Sequence, residues 1–444
     1  MEKIIIIGAG LAGIGAAYRF HCNQIQVSVY EKNSYPGGSA ACSNKDGFTF
    51  SNAPHIFGIN MEKFSAILSD FSNSNIEPIH SYTSNYWKGY WIEDPILFNL
   101  SALPKDLIVK IITDFLKAGQ EKTELGNSFK DRLYTLYGKT FTDIFAASYT
   151  EKFKTTSLDN IDYTDVDQKF YCPTFNEILT GAIADETENS HHTTILHPLP
   201  TAGFMNFFNN TSFIDLNLEH QVRLIDTKQK IIGFNSGETE KYDYLISTMP
   251  LPELINCMTG VPNKIRLAAE NLAYTNCLVI NIAVNRKHLS KTYQTYFFDR
   301  SIIFSRLTFP GILSPNNSPE NYESIQAEIY FSEKYKPLHL PPENFIEPTV
   351  AGLIRCGIVR AEDGIMYKEA KWIQFAGIIY DFDRKSNLSA VHNYLNETDI
   401  KYCGRYGDWE NKMTDASFTS GENAAQEIID RITFNKTNEY RVSD

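Results

Sequence analysis

Three things are scarce in this 444-residue chain, and each closes off a class of function. No run of lysines or arginines occurs, and the net charge is −12, so nucleic acid is excluded as an expected partner. No C-x-x-C pair occurs among the seven cysteines, Cys22, Cys42, Cys172, Cys257, Cys277, Cys356 and Cys403. Scattered and odd in number, they predict reduced thiols in a cytoplasmic protein, neither a disulfide framework nor a zinc site. His191-His192 are adjacent and do not share a helix face, so no metal site is expected there. No apolar run approaches the length of a membrane span. A signal peptide is not expected either, because a working loop already begins at Gly8.

What is present is ample core material and many aromatics. Hydrophobic residues make up 43% of a length that suggests two or three domains, and 25 tyrosines with 29 phenylalanines suit an aromatic cavity.

The chain is organised around its beginning. The run Ile4-Ile5-Ile6-Ile7 is short enough for one buried strand, and Gly8-Ala9-Gly10-Leu11-Ala12-Gly13 follows at once. An alanine-rich helical pattern then passes through Ala16, Ala17 and Phe20, and a second apolar strand, Val27 to Tyr30, ends on Glu31. This is the G-x-G-x-x-G dinucleotide fingerprint in the strand, helix and acid context it requires. Gly8 permits the tight turn, Gly10 lets backbone approach a pyrophosphate, and Gly13 lets helix pack on strand. Unpaired N–H groups at the helix start face the phosphates. Glu31 suits a ribose hydroxyl pair and would repel a 2′-phosphate, which disfavours NADP. The fingerprint alone leaves NAD and FAD both open.

The following residues bear on that choice. Lys32-Asn33-Ser34-Tyr35-Pro36-Gly37-Gly38-Ser39 resembles the second glycine motif of the FAD-dependent amine oxidase superfamily, although Ser39 stands where many members carry arginine. Phe48 to Phe57, containing Asn52-Ala53-Pro54-His55, is similar to the segment that reaches the flavin ring in UDP-galactopyranose mutases and protoporphyrinogen-oxidase-like proteins. By that resemblance His55 lies beside the ring. Phe129 to Asp159 resembles the helical substrate domain of the mutases, and Trp91 to Pro104 matches another of their segments in part. Leu103 to Phe115 has helical spacing, and Leu218 to Asp226 and Ile231 to Phe234 read as strands. Pro200 to Phe204 resembles the turn back into the cofactor domain. Phe304-Ser305-Arg306 resembles the segment whose arginine holds the substrate's diphosphate, which makes Arg306 an anion ligand and Glu328 a candidate partner across the sheet. Finally Gly404-Arg405, followed by a helix capped near Thr414 or Asp415, resembles the flavin-facing turn and helix of these families.

The resemblance implies an α/β protein with an FAD-binding Rossmann-like (GR2-type) domain and an inserted mixed α+β substrate domain. Residues 1–75, 203–252 and 395–444 would form the first, and 76–202 and 253–394 the second. The implied catalytic residues are His55, Arg405 and Arg306. The implied cofactor contacts are Gly8, Gly10, Leu11, Ala12, Gly13, Glu31, Lys32, Gly37, Gly38, Ser39, Val222 (through its backbone, to adenine), Gly404, Arg405, Thr414, Asp415, Ala416 and Ser417. The implied cofactor is FAD, and the expected partner is a small molecule, anionic or nucleotide-linked; the oligomeric state stays open. The first expectation is an oxidoreductase that passes hydride from substrate to flavin N5. The alternative is a redox-neutral isomerase of a nucleotide sugar like the mutases, against which Glu410-Asn411-Lys412 departs from the mutase pattern. A flavin-binding protein without catalysis is the third.

Overall fold

The computed structural model describes residues 2–53, 57–58, 66–67, 75–120, 126–165, 171–184, 193–199 and 214–442. His55, His191, His192 and the Pro200–Phe204 turn lie outside the described residues.

The run of four isoleucines forms the strand Ile4–Ile7, the centre of a five-stranded sheet in which every pairing is parallel. Its neighbours are Ser28–Tyr30 and then Asp215–Asn217 on one side, and Tyr244–Ser247 and then Ile400–Tyr402 on the other. Ile4 and Ile6 face one layer, Ile5 and Ile7 the other, and all four are buried. That is why this strand reads as a continuous apolar run, as parallel strands covered on both faces do. One layer holds the first helix, Leu11–Cys22, and the last, Thr414–Val442; the other includes Leu251–Cys257 and Asn263–Glu270.

A second sheet has seven strands, in the order Ile365–Ile378, Tyr274–Val284, Glu323–Phe331, Arg306–Thr308, Gln294–Phe297, Thr83–Trp87, Tyr90–Glu93. All its pairings are antiparallel except that between Gln294–Phe297 and Thr83–Trp87. One face is apolar, with Leu278, Ile280, Ile282, Leu307, Ile325, Ala327 and Ile329 in a single cluster. The other face carries Asn281 opposite Gln326, and Glu328 opposite Arg306. The helix expected after Leu103 is present as Lys105–Gln120, and the strands expected around Val222 and Ile232 as Val222–Asp226 and Ile231–Phe234. The first of these starts later than its apolar pattern, because Glu219 takes a left-handed turn at φ 61°. Among the described residues no helix is long and apolar enough to cross a membrane.

The first and last helices touch backbone to backbone. A Cβ on Gly15 would lie 2.2 Å from the Phe418 carbonyl oxygen, and one on Gly421 would lie 1.8 Å from that of Ala12. Gly421→Ala must therefore push the helices apart, at a cost of about 1–3 kcal/mol. Gly119→Ala meets nothing within 4 Å and sits in a helix, so it should gain about 0.5–1 kcal/mol. Parallel thermal melts should show the two variants moving in opposite directions.

Candidate functional site

A cleft of about 800 Å³ opens at the carboxyl ends of Ile4–Ile7 and Tyr244–Ser247, within the size range of small-molecule sites. Its floor is the glycine turn. Gly8 has φ 96°, and its N–H donates to the Tyr30 carbonyl at 2.8 Å. A side chain there would strike Thr248 Oγ1 at 2.2 Å, and one at Gly13 would lie 1.9 Å from the Gly8 carbonyl oxygen. Gly10 is different: a Cβ would meet nothing within 4 Å and would occupy the open cleft itself. The second glycine turn lies over the first, with the Gly37 N–H donating to the Ala9 carbonyl at 2.7 Å. Gly37 and Gly38 have φ 108° and 57°, which a side chain rarely tolerates. The space above Gly10, at the start of the first helix, is open and a larger residue would fill it.

Glu31 lines this end but is engaged by its own chain. Its Oε2 accepts the Ala9 N–H at 2.9 Å, and its Oε1 accepts the Asn33 N–H at 2.9 Å and side-chain amide at 2.7 Å. The acid expected to serve a ribose braces the glycine turn through Ala9. Lys32 is paired with Glu253 at 3.6 Å. Ser39 lines the cleft, and a cation reaches this turn from the second sheet. Lys371 Nζ donates to Asn52 Oδ1 at 2.5 Å, and Asn52 Nδ2 donates to the Gly38 carbonyl at 2.8 Å. Val222 is buried on the cleft wall, its carbonyl accepting the Cys257 thiol at 3.5 Å.

The far end is built by Gly404, Arg405, Thr414 and Ser417. Gly404 has φ 82°, and a Cβ there would lie 2.7 Å from Ala12. Arg405 donates through Nε and Nη2 to the Lys412 carbonyl, at 2.9 and 2.6 Å, and so fixes the loop before the last helix. Thr414 starts that helix; its Oγ1 is buried with no partner among the described residues, as is Asp415 Oδ1. Of the expected contacts, Gly13, Asp415 and Ala416 do not line the cleft, and Ala416 is exposed. Sequence reading missed the aromatic wall. Residues 374–376 bulge opposite Asn276, which holds Phe375 at φ 57° and turns it toward the cleft, stacked on Tyr274 with ring centroids 4.2 Å apart. No local pattern marks such a bulge.

Arg306 does not line this cleft. Its guanidinium forks onto Glu328, Nε to Oε2 and Nη2 to Oε1, both at 2.9 Å, while the Tyr330 hydroxyl also donates to that carboxylate. Burial opposes the charge on Arg306, but the facing carboxylate outweighs it and holds the guanidinium above its ordinary value. Glu328 is thus the partner expected across the sheet, and both members of the pair are largely buried. Tyr149 packs edge-on to Tyr296 at 5.6 Å, its phenol pushed up by burial and drawn down by Arg306. A further buried cation was not foreseen. Lys154, just past the helix Ala147–Phe153, donates to the Ile378 carbonyl at 2.9 Å, and burial with nearby Arg405 lowers its ammonium to about 8.

Two outcomes follow from these charges. Arg306→Met leaves Glu328 buried without its counter-ion, which should cost about 3–5 kcal/mol in chemical denaturation, with much of it recovered when Glu328→Met is added. For Lys154, the unfolded chain binds more protons than the folded one between pH 10.5 and about 8, so wild-type stability rises with pH across that window. Lys154→Met should therefore melt above wild type at pH 7 and lose that advantage by pH 10.5.

Comparison with known proteins agrees with this geometry. Residues 6–71 match the model of the NAD(P)-binding Rossmann-like domain. The chain is similar to a 1-hydroxycarotenoid 3,4-desaturase of Flavobacterium sp. (strain P99-3), 46% identical over 57 residues; the match spans 13% of this chain and only 12% of that relative's length. Its structure is similar to that of a reduced UDP-galactopyranose mutase, with TM-score 0.89 and 24% identity over 97% of this chain and 94% of that one. It is also similar to an Exiguobacterium sp. 255-15 protein assigned as a protoporphyrinogen oxidase, with TM-score 0.72 and 13% identity over 96% and 98%. Residues 6–71 thus form an NAD(P)-binding Rossmann-like domain, and the chain has the fold of the mutase and oxidase structures.

Proposed function

We propose that the cleft binds FAD and that the protein is a flavin-dependent oxidoreductase, taking hydride from a small-molecule substrate. The observation that carries this reading is the pairing of two features in one cleft. The Gly8–Gly13 cradle lies at one end, and the buried, unpartnered Thr414 hydroxyl at the start of the last helix lies at the other. Segments 1–75, 203–252 and 395–444 would then form the cofactor part, and 76–202 and 253–394 the substrate part.

The residues fit the group. Gly10, Gly37 and Gly38 would leave room for the pyrophosphate, the N–H groups at the first helix start would donate to it, and Glu31 would meet the ribose with its remaining lone pairs. Bound FAD supplies a two-electron acceptor ring. The positive end of the last helix and the Thr414 hydroxyl would stabilise negative charge collected there. Tyr274 and Phe375 would exclude water from the same end. Arg306 spends its fork on Glu328, which supports a substrate less charged than a nucleotide diphosphate. The second reading, a redox-neutral isomerase of a nucleotide sugar, draws on the polar group Arg306, Tyr149 and Tyr296.

The purified protein should be yellow, and Gly10→Val should lose most of its flavin, read as the ratio of flavin to protein absorbance. A colourless protein that FAD cannot reconstitute would end this reading. Between the two activities, bleaching by a candidate substrate without air selects the oxidoreductase. Interconversion of UDP-sugars by dithionite-reduced enzyme, with no net redox change, selects the isomerase.

A further inference from the structure

The second glycine turn is held by a side chain from outside its own segment, and that side chain is held in turn by the second sheet. Asn52 is 6% exposed and lines the cleft. Its Nδ2 donates to the Gly38 carbonyl at 2.8 Å and to the Tyr35 hydroxyl at 3.4 Å. Its Oδ1 accepts the Lys371 ammonium at 2.5 Å, from a residue 319 positions away in the chain. Lys371 ends a row that crosses four neighbouring strands, Arg306, Glu328, Val279, Lys371. Both ends of one amide are thus spent on joining that row to the glycine turn.

The turn needs such a hold. A Cβ on Gly38 would lie 3.4 Å from Gly10 Cα, so the second glycine turn sits directly over the first, beside the open space above Gly10. Gly37 and Gly38 are both left-handed, and two glycines in succession have the most conformational freedom to lose, so the turn does not keep this shape unaided. An amide whose oxygen accepts from a full positive charge is polarised into a stronger donor through its nitrogen. The flanking main chain is fastened from the same sheet. Gln326 donates to the Ser51 carbonyl at 2.8 Å and accepts the Ser51 N–H at 3.3 Å, while the Asn52 and Ala53 N–H groups donate to the Ala41 and Ser39 carbonyls. Residues 51–53 are a strap between the second sheet and the turn.

We propose that Lys371 and Asn52 are positioning residues for the phosphate-bearing end of the cofactor. The ammonium holds the amide, the amide holds Gly38, and Gly38 keeps the space above Gly10 open to a pyrophosphate. The proposal rests on the cleft being the FAD site, and it adds that the grip on the nucleotide is set from the second sheet, in the row that carries Arg306. Coupling between two sites is reciprocal, so a nucleotide in the cleft must in turn strengthen the bond between Lys371 and Asn52.

The test uses the full chain and two probes, FAD and ADP, the second of which has the pyrophosphate end without the ring. Lys371→Met should raise both dissociation constants about tenfold, by flavin fluorescence and by equilibrium dialysis. Lys371→Arg keeps a charged donor and should restore most of the loss. Asn52→Leu should reproduce the loss, and adding Lys371→Met to it should weaken binding by no more than about twofold further, as two links of one chain require. Lys368→Met, on the same strand but exposed and paired with Glu347, should change neither constant. A further measurement needs no variant to fold: on the wild-type protein, acetylation of Lys371 by acetic anhydride, followed by peptide mass spectrometry, should slow about tenfold on saturation with ADP while that of Lys368 is unchanged. Unchanged ADP affinity in Lys371→Met, losses that multiply in the double variant, or Lys371 labelling indifferent to ADP overturns the proposal. A wild-type protein that binds ADP but cannot be loaded with FAD defeats the flavin reading and leaves these measurements intact; one that binds neither defeats both.

Discussion

The cleft depends on how closely two helices approach. Side chains normally hold packed helices about 8–10 Å apart. Here Gly15 and Gly421 remove the side chains at the crossing, so the backbone of each helix lies against the other. That contact brings the starts of both helices, through Leu11 and Ala12 and through Thr414 and Ser417, into one cleft. Both helix starts carry positive partial charge, which negative charge in the cleft would offset. The same closeness forces Gly404, whose backbone must clear Ala12.

The second sheet solves a different problem, since its strands must be apolar on one face and chemically useful on the other. Its apolar face holds the sheet to the rest of the domain. On the polar face charges and amides pair with one another: Gln326 bonds Ser51 and Asn281, Glu328 takes Arg306 and Tyr330, and Lys371 reaches Asn52 beside the second glycine turn. The last of these ties the two sheets together at the cleft. A hydrogen-bonded network of this kind is rigid, which fixes this face relative to the cleft.

How much was legible in the sequence follows from how local each constraint is. The glycine turn could be read because its conformational demands fall within six residues, Gly8 to Gly13, and the strand and helix that frame it are adjacent in the chain. The seven-stranded sheet could be read in part, because Leu278 to Val284 and Arg306 to Phe309 are apolar or alternate. The Arg306–Glu328 pair was visible since both residues stand out on such strands. Partners set by distant packing left no trace. Lys154 meets a carbonyl 224 residues away, and Lys371 meets a side chain 319 residues away. Phe375 is turned toward the cleft by a bulge that no spacing announces. Glu31 follows the second strand as its pattern predicts, while its bonds to Ala9 and Asn33 show a bracing duty that the fingerprint does not encode.

The pairing of the first helix with the last also bears on how the protein is made. Phe418, Gly421 and Ala425, which lie against the helix Leu11–Cys22, come far later in the chain than the Ala12, Ala16 and Phe20 that they join. While the stretch between them is being translated, that side of the earlier helix has no native cover. The nascent chain must therefore keep this apolar surface shielded until the helix Thr414–Val442 has been made.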